Sequence, residues 1–314
     1  MTLEKTMLGP LAVSRLGFGT LSLSPLQSSL TVEQGAELLC YAWEQGINFW
    51  DTAQIYENYP VLRAALAKLP QQPVITTKTY AYTAKAAQKA WEEACRQLDI
   101  DVLDIMMLHE QEALTLPGHQ PALDWMCQAR ERGLIRAVGV STHSVACVRA
   151  AAEHRDIDII HPLYNKWGVG IHDGTPQAMA EAIIYAQKNG KGIYAMKVLG
   201  GGTLYRHARE AIDHVMGLPW LDSAVIGMST PAEIDYNVAL FSGQQPAQEI
   251  ARRVGQRGRR LHVADWCQGC GRCIDACGQG ALTMADGTVT VDKSKCILCG
   301  YCSRQCEHMC LKII

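Results

Sequence analysis

Two cysteine runs near the end of the chain are the residues whose type and spacing most clearly indicate chemistry. The first reads CQGCGRCIDAC over residues 267–277, and the second reads CILCGYCSRQC over residues 296–306. Thiolates are soft ligands, and the two-two-three spacing lets a compact loop place three sulfurs around one iron–sulfur cluster. Paired C-x-x-C motifs also bind zinc, but two identical runs of four cysteines fit zinc ribbons poorly. The spacing therefore predicts iron–sulfur clusters.

Residues 264–314 resemble a two-cluster bacterial ferredoxin, and the resemblance implies which cysteine serves which cluster. In that family the fourth cysteine of each run binds the cluster of the other run. The implied ligands of the two [4Fe-4S] clusters are Cys267, Cys270, Cys273 and Cys306 for one, and Cys296, Cys299, Cys302 and Cys277 for the other. The family usually has proline after each fourth cysteine, where this chain has Gly278 and Glu307. A ninth cysteine, Cys310, is expected to pack nearby without binding iron.

A second set of reactive side chains lies at the ends of strand-like runs in the first half of the chain. Asp51 ends INFWD, Lys78 ends VITTK, His109 ends VLDIMMLH, and Tyr56 follows Asp51 in the next loop. A lysine that faces a tyrosine lowers the pKa of the phenol, which would make Tyr56 a proton donor near neutral pH. Asp51 would keep Lys78 charged, and His109 would orient a carbonyl oxygen. Taken singly, each residue also has a structural explanation, such as a turn cap, a solvated lysine or a buried histidine.

Eight apolar runs alternate with eight amphipathic segments over roughly the first 240 residues. The strand-like runs are RLGFGT, INFWDT, PVITTK, VLDIMMLH, IRAVGVS, IDIIHP, GIYAMKVL and SAVIGM. The helix-like segments are 31–46, 57–68, 83–98, 118–132, 144–154, 175–190, 205–217 and 231–241. The alternation predicts an α/β fold, a (β/α)8 TIM barrel, in which the carboxyl ends of the strands gather polar side chains at one mouth. A doubly wound open sheet is the alternative, but no G-x-G-x-x-G motif follows the first strand.

The alternating pattern ends near residue 242, and this divides the chain into three parts. We expect a barrel over 1–241, a linker or short helix over 242–263, and a small ferredoxin-like domain over 264–314. The arginines of the linker stand at positions 252, 253, 257, 259 and 260. They form either a solvated helical face or a docking patch for an acidic redox partner. The last part is too short for a sizeable core, so metal is expected to hold it together.

Residues 1–241 resemble the aldo-keto reductase family, and Asp51, Tyr56, Lys78 and His109 fall on the catalytic tetrad of that family. The segments LGFGT, FWDTAQIYE, GVSTHS, YNKW and VIGMSTPAEIDYN lie where its motifs are expected. The resemblance implies NADPH-dependent reduction of a carbonyl group, with hydride from nicotinamide and a proton from Tyr56.

The resemblance also implies cofactor contacts, several of which hold unusual residues. Ser141 is kept, but Thr142 and His161 replace the amide side chains that usually hold the nicotinamide, and neither offers the paired donor and acceptor of an amide. Met196 stands in place of the stacking aromatic residue. The other implied cofactor contacts are Lys197, Gly200, Gly201, Gly202, Gly227, Ser229, Thr230 and Asn237. NADP(H) or NAD(H) binding therefore stays open at this stage, and a flavin is not excluded.

Composition sets the expected class and surroundings of the protein. The 314 residues include 19% charged residues and carry a formal net charge of −2, which is typical of a globular protein that binds neither nucleic acid nor an anionic membrane. The first residues lack the apolar core of a signal peptide, and no apolar run approaches about 18 residues. We therefore expect a cytoplasmic protein. Crowded cysteines in a reducing compartment indicate metal rather than disulfides.

Four functions are compatible with these features. The favoured one is an iron–sulfur oxidoreductase of the aldo-keto reductase type, which acts on a small carbonyl or activated substrate with Tyr56 as acid and base. Its clusters would exchange electrons with a soluble ferredoxin or another redox partner. The alternatives are an NADPH-dependent aldo-keto reductase with structural or sensory clusters, a redox-neutral lyase, dehydratase or isomerase, and a non-catalytic electron-transfer subunit.

Overall fold

A hairpin closes the amino-terminal end of the barrel. The computed structural model describes residues 3–314 and opens with two antiparallel strands, β1 (Lys5–Leu8) and β2 (Leu11–Ser14). The side chains of Leu8 and Leu11 are buried against inward-facing apolar side chains of the barrel strands. The bottom of the barrel is thus sealed by a short element that the alternating pattern did not predict.

Eight parallel strands form a closed barrel, which confirms the fold predicted from the sequence. The strands are β3 (Leu16–Gly19), β4 (Phe49–Asp51), β5 (Val74–Thr79), β6 (Leu103–Leu108), β7 (Ile135–Thr142), β8 (Ile159–Pro162), β9 (Gly192–Ala195) and β10 (Ser223–Ile226). Neighbours pair in chain order, and β10 pairs with β3 to close the barrel. All carboxyl ends of these strands therefore open at one mouth.

A helix follows each barrel strand and packs its apolar face against the barrel. The helices are α1 (Val32–Glu44), α2 (Tyr59–Leu66), α3 (Ala84–Leu98), α4 (Gln120–Glu131), α5 (Val145–Glu153), α6 (Pro176–Lys188), α7 (Ala208–Met216) and α8 (Pro231–Phe241). α1 begins with a capping box, in which the Thr31 hydroxyl accepts from the Gln34 amide and the Gln34 side chain accepts from the Thr31 amide. Across residues 3–314, no helix is long and apolar enough to cross a membrane.

The remaining chain forms a helix and a small cysteine-rich unit. Its elements are α9 (Gln248–Gln256), β11 (Leu261–Val263), α10 (Arg272–Asp275), β12 (Leu282–Ala285), β13 (Thr288–Val291), α11 (Tyr301–Arg304) and β14 (Leu311–Ile313). β11 pairs with β14, and β12 pairs with β13, both in antiparallel fashion. The last residues of the predicted linker therefore belong to a sheet of the cysteine-rich unit.

The cysteine-rich unit packs against loops at the barrel mouth. Gly202, in the loop after β9, lies so close to β14 that a Cβ there would overlap the carbonyl oxygen of Ile313. His172, in the loop after β8, donates from Nε2 to the carbonyl oxygen of Glu307 at 3.0 Å. These contacts place the end of the chain beside the carboxyl ends of the barrel strands.

Candidate active site

The four predicted catalytic residues lie together at the barrel mouth. Asp51 ends β4, Lys78 is the penultimate residue of β5, and His109 follows β6 directly. Tyr56 ends a 3-10 turn, Gln54–Tyr56, in the loop after β4. Because β4, β5 and β6 are adjacent in the barrel, their ends bring these side chains to one site.

Asp51 and Lys78 form a buried ion pair at the base of this site. Lys78 Nζ donates to Asp51 Oδ1 at 2.6 Å and to the Thr52 carbonyl oxygen at 2.8 Å. The other carboxylate oxygen accepts from the Tyr194 hydroxyl at 2.8 Å. Burial opposes ionisation of Asp51, but the Lys78 ammonium outweighs it and holds the pKa of Asp51 below its ordinary value. Asp51 therefore fixes Lys78 in place.

Tyr56 faces this ion pair and is held as a phenol. Lys78 Nζ lies 5.3 Å from the centroid of its ring. The sequence argument predicted a lowered pKa for Tyr56, and the structure differs. Burial, together with the nearby charges of Asp51 and Glu110, raises the pKa of Tyr56 well above its ordinary value. The phenol consequently keeps its proton at neutral pH.

His109 is held as a neutral imidazole on the opposite side of Tyr56. The two rings meet edge to face with centroids 5.9 Å apart, and Tyr80 stacks on His109 at 4.7 Å. Burial, assisted by the Lys78 charge, lowers the pKa of His109 to about 3. Its buried Nδ1 has no hydrogen-bond partner among the described residues. A neutral ring beside Tyr56 suits a group that orients a substrate oxygen.

One cavity of about 840 Å³ joins the barrel mouth to the cysteine-rich unit. Asp51, Tyr56, Lys78 and His109 line it on the barrel side. Its other wall is formed by the residues that flank the cysteine runs and by the end of the chain, namely Trp266, Gln268, Glu307, His308, Met309, Lys312, Ile313 and Ile314. A volume of this size is ordinary for a small-molecule or cofactor site.

The predicted cofactor contacts divide into residues that line the cavity and residues that do not. Those that line it are His161, Met196, Lys197, Gly201, Gly202, Gly227 and Ser229. Ser141, Thr142, Gly200, Thr230 and Asn237 do not line it. Ser141 Oγ accepts from the Glu110 amide and Thr142 Oγ1 accepts from the Ser144 amide, both at 2.9 Å. These two hydroxyls therefore support the loop backbone.

The glycine-rich turn after β9 is packed by the chain itself. The amides of Gly200 and Gly202 donate to the carbonyl oxygens of Lys197 at 2.7 Å and Leu199 at 2.9 Å. Since Gly202 also lies against the backbone of Ile313, this turn makes room for the end of the chain. A nucleotide phosphate would find the two amides already used.

The corner after β10 holds a carboxylate of the chain. Ser229 donates its amide to Glu233 Oε2 at 2.8 Å, and Thr230 caps α8. Arg257 forms an ion pair with Glu233, and Arg259 approaches the same carboxylate at 4.0 Å. The helix terminus that would attract a phosphate is therefore occupied by Glu233, so a nucleotide phosphate fits here only if Glu233 moves away.

The first group of four cysteines comes together around α10. Cys273 is buried in a small apolar cluster against which Cys267 and Cys306 pack, and burial together with the thiols of Cys306, Cys267 and Cys270 raises the pKa of Cys273. Left-handed backbone at Gly269 and Gly271 turns the loop between the first three cysteines. These four cysteines are the ligand set that the ferredoxin resemblance implies, and four thiols are the donor set that a [4Fe-4S] cluster takes.

The second group of four cysteines surrounds a small separate cavity. The cavity is lined by Cys277, Cys296, Cys299 and Cys302, with apolar neighbours such as Leu261 and Leu282. The grouping corresponds to the other implied ligand set. Cys310, which belongs to neither set, is buried, and its amide donates to Cys306 Sγ at 3.2 Å. It thus lies where the sequence expectation placed it, beside a ligand.

Four residues of the site were missed by sequence reasoning. These are Glu110, His143, Tyr194 and Lys312. Tyr194 was within reach, because alternation along β9 turns it toward the barrel interior, where its hydroxyl meets Asp51. Glu110 directly follows His109 but adopts a left-handed backbone, with φ 47°, that no local motif indicates. Lys312 reaches the cavity only because β14 returns to the barrel.

Comparisons with known proteins agree with the geometry. The model of the aldo/keto reductase family matches residues 15–217, and that of a 4Fe-4S dicluster domain matches residues 260–307. A chloroplastic pyridoxal reductase of Arabidopsis thaliana is 34% identical over 165 residues, covering 45% of this chain and 44% of that protein. A D-threo-aldose 1-dehydrogenase of Pseudomonas sp is 24% identical over 233 residues, covering 62% of this chain and 68% of that protein. The chain thus spans about half the length of the first of these relatives.

Solved structures share the barrel. A Pseudomonas aeruginosa protein assigned to the aldo-keto reductases superposes with a TM-score of 0.66 at 25% identity, over 76% of this chain and 95% of that one. A Klebsiella pneumoniae aldo/keto reductase, solved with NADP and acetate, gives 0.64 at 20% identity, over 81% and 95% of the two chains, and this shows the common fold. With its barrel, its clustered tetrad and a family match over most of the barrel, the chain belongs to the aldo/keto reductase family and carries a C-terminal 4Fe-4S domain.

Proposed function

We propose that this protein is an iron–sulfur oxidoreductase that reduces, or in the reverse direction oxidises, a small carbonyl or activated substrate. Tyr56 is the acid and base, and two [4Fe-4S] clusters relay electrons to or from a soluble ferredoxin or another redox partner. Membership of the aldo/keto reductase family supports the reaction class.

The observation that carries the proposal is the shared cavity. Tyr56 and His109 line one side, and Trp266 and Glu307, which flank Cys267 and Cys306, line the other. A substrate in this cavity would touch the proton donor and lie beside the first group of cysteines. A cysteine-rich unit with a purely structural role would have no need to form a wall of the active site.

The residues of the tetrad have separate tasks in this reaction. Asp51 and Lys78 fix the position of Tyr56 and set the electrostatic field at its hydroxyl. Neutral His109 orients the substrate oxygen. Tyr56 donates its proton to that oxygen as the carbonyl becomes an alcohol, and it is reprotonated from water. The full reduction consumes two electrons and two protons, and the second proton also comes from water.

The two groups of cysteines would hold the clusters, with Cys306 joining the first run and Cys277 joining the second. When bound, clusters of this kind exchange electrons one at a time. They would supply the reducing equivalents, which come from an external ferredoxin. The surrounding chain contributes a partly buried setting and fixes the unit beside the barrel mouth.

Turnover with reduced ferredoxin tests the proposal. Anaerobically purified protein is mixed with reduced ferredoxin and a panel of small carbonyl compounds, and oxidation of the ferredoxin is followed. Tyr56→Phe is expected to lower substrate-dependent oxidation by about 100-fold or more, because it removes the proton donor. The exposed Tyr82, which lies outside the cavity lining, gives the matched control Tyr82→Phe, expected to behave as the wild type.

Two results would overturn the proposal. Undiminished turnover in Tyr56→Phe would remove this residue from the chemistry. Ferredoxin oxidation that is the same with and without every substrate would instead favour a non-catalytic electron-transfer subunit. The absorption spectrum of the same preparation also reveals any bound flavin.

The second candidate is an NADPH-dependent reductase whose clusters are structural or sensory. The extent of the cavity favours it, since Ser229, in the loop after β10, and His109, which follows β6, line the same space. Related barrels have been solved with NADP. The glycine turn after β9 and the loop after β10, where a nucleotide phosphate would bind, already bond to groups of the chain, and this argues against the second function. Tight binding of NADPH, with carbonyl reduction by protein stripped of its clusters, would establish this second function and exclude the first.

A further inference from the structure

Lys312 is a buried lysine that forms no direct ion pair among residues 3–314. It lies in β14, with 6% of its surface exposed, and lines the cavity. Its Nζ lies 4.5 Å from the centroid of the Trp266 ring. Within the part of the chain that the structure describes, the ion pairs formed by lysines involve Lys78, Lys166 and Lys295. A buried ammonium is costly unless an anion lies close to it, so a lysine in this position favours an anionic ligand in the cavity.

Lys197 supplies a second cation to the same part of the cavity. Its Nζ donates to His143 Nε2 at 2.9 Å, and burial keeps that imidazole neutral by lowering the pKa of His143. Lys197 has φ 57°, a left-handed conformation that is uncommon for a residue with a side chain and often marks functional sites. Burial lowers the pKa of Lys312 to about 7, and the nearby charge of Lys197 adds to the effect. A Cβ on Gly201, in the turn that follows Lys197, would lie 3.6 Å from Lys312 Cγ, and both lysines line the cavity, so the two side chains share this part of it.

The two lysines lie toward the catalytic end of the cavity. Both are electrostatic neighbours of Glu110, which is next to His109 in the chain. The Tyr80 hydroxyl donates to Glu110 Oε2 at 2.5 Å while the ring of Tyr80 stacks on His109. The charges of Lys197 and Lys312 both lower the pKa of Glu110 against the effect of its burial, so this carboxylate lies near two lysines, beside the residue that would orient the carbonyl oxygen.

We infer that Lys312 and Lys197 form the binding site for a carboxylate of the substrate, so that the substrate class is small oxo acids. The inference rests on the proposed carbonyl chemistry and narrows it. Ammonium groups bind carboxylates through charge-assisted hydrogen bonds, and a site that holds two of them favours an acid over its neutral amide. Lys312 comes from the C-terminal strand, so the cysteine-rich unit contributes to substrate choice.

A nucleotide phosphate is the competing source of negative charge, and local contacts disfavour it. The amides of Gly200 and Gly202, which would share in holding a phosphate, donate to carbonyl oxygens of their own turn. Gly201 faces the methylene groups of Lys312 rather than an open space. A carboxylate needs only the two ammonium groups.

Trp266 provides a direct test of binding, because Lys312 lies over its ring. Pyruvate and levulinate, each paired with its neutral carboxamide, are titrated into anaerobic protein without any reductant while tryptophan fluorescence is recorded. At least one acid is expected to bind about tenfold or more tightly than its amide, and Lys312→Met is expected to weaken that acid by about tenfold or more. Trp266→Phe identifies the part of the signal that comes from this ring.

Matched variants separate charge from folding. Lys312→Arg keeps the positive charge and is expected to retain most of the affinity for the acid. Lys293→Met removes an exposed lysine of the same unit that does not line the cavity, and it should bind like the wild type. Lys197→Met tests the second cation on the barrel side, where loss of the C-terminal unit's fold is not at issue. Equal binding of acid and amide, or unchanged acid binding in both methionine variants, would overturn the inference.

A nucleotide arm assigns the anion to its source. NADPH and inorganic pyrophosphate are titrated against wild type and Lys312→Met in the same assay. If Lys312→Met weakens NADPH or pyrophosphate but leaves the oxo acids unaffected, the lysines serve a cofactor and the inference is wrong. Because binding is measured without electron transfer, an acid-selective site without turnover would reject the proposed function and leave this site standing, whereas turnover of neutral ketones alone would do the reverse.

Discussion

At the scale of residues, three buried histidines near the barrel mouth tie stability to pH. Burial lowers the pKa of His109 to about 3 and that of His161 to about 4, and burial beside Lys197 holds the pKa of His143 well below its ordinary value. In the unfolded chain these side chains ionise near a pKa of about 6.5. Below that pH the unfolded chain binds more protons, so the free energy of unfolding falls from about pH 6.5 down toward the folded pKa values.

We expect the thermal unfolding midpoint to be lower at about pH 5.5 than at about pH 7.5, since each histidine contributes about 1.4 kcal/mol over this whole interval. His161→Gln removes one of the three groups and should reduce the pH dependence by roughly a third. His207→Gln changes an exposed side chain and serves as the control. A midpoint that is independent of pH in the wild type would contradict the prediction.

The same residues show how far the sequence could lead at this scale. The sequence predicts that four side chains lie together at the barrel mouth, because each ends or follows a barrel strand. These are Asp51, Tyr56, Lys78 and His109. The state of Tyr56 was not, since its pKa depends on how deeply the phenol is buried and on Glu110, whose position comes from tertiary packing. A motif indicates which charged residue will lie beside Tyr56. How far the phenol is shielded from water is known only once the cavity is assembled.

At the scale of elements, local signals located the barrel helices well and long-range contacts poorly. The helix predicted over 83–98 corresponds to α3 over Ala84–Leu98, with Thr83 as its cap. A helix cap can be predicted from the sequence because the residues that form it lie within one helical turn of each other. By contrast, the sequence predicts the glycine turn around Gly202 as a cofactor contact, because nothing local indicates that Ile313, more than one hundred residues away, lies against it.

Gly202→Ala tests whether this turn makes room for the end of the chain. A Cβ would overlap the Ile313 carbonyl oxygen, and φ 85° is unfavourable for alanine. Overpacking of this kind costs about 1–3 kcal/mol beyond the backbone strain, so we expect the thermal midpoint to fall by several degrees. The matched control is Gly190→Ala, where φ is 79° but no atom lies within 4 Å of the added Cβ. Equal losses in the two variants would show that backbone strain alone is responsible.

At the scale of the whole molecule, the fold joins two kinds of chemistry by returning the chain end to the barrel. β14 pairs with β11 and lies against the loop after β9, so the residues after Cys306 become a wall of the active site. Cys277 is followed by residues that line the separate cavity of the second cysteine group, such as Gln279 and Ala281. The first cysteine group therefore lies beside the cavity that would hold the substrate, whereas the second lines a separate cavity.

This asymmetry predicts different consequences for the loss of one ligand from each group. Cys306→Ser is expected to loosen the wall formed by Glu307 to Met309, and hydrogen exchange of the amides in 197–204 should rise by about tenfold, because their packing partner becomes mobile. Cys277→Ser is the matched variant and should change exchange in that loop by no more than about twofold. Iron content of both proteins is measured to establish that each has lost metal to a similar extent. If both variants leave the loop equally protected, the first cysteine group does not hold the wall of the cavity. The proposal that electrons pass from this group to a substrate in the cavity would then lose its structural basis.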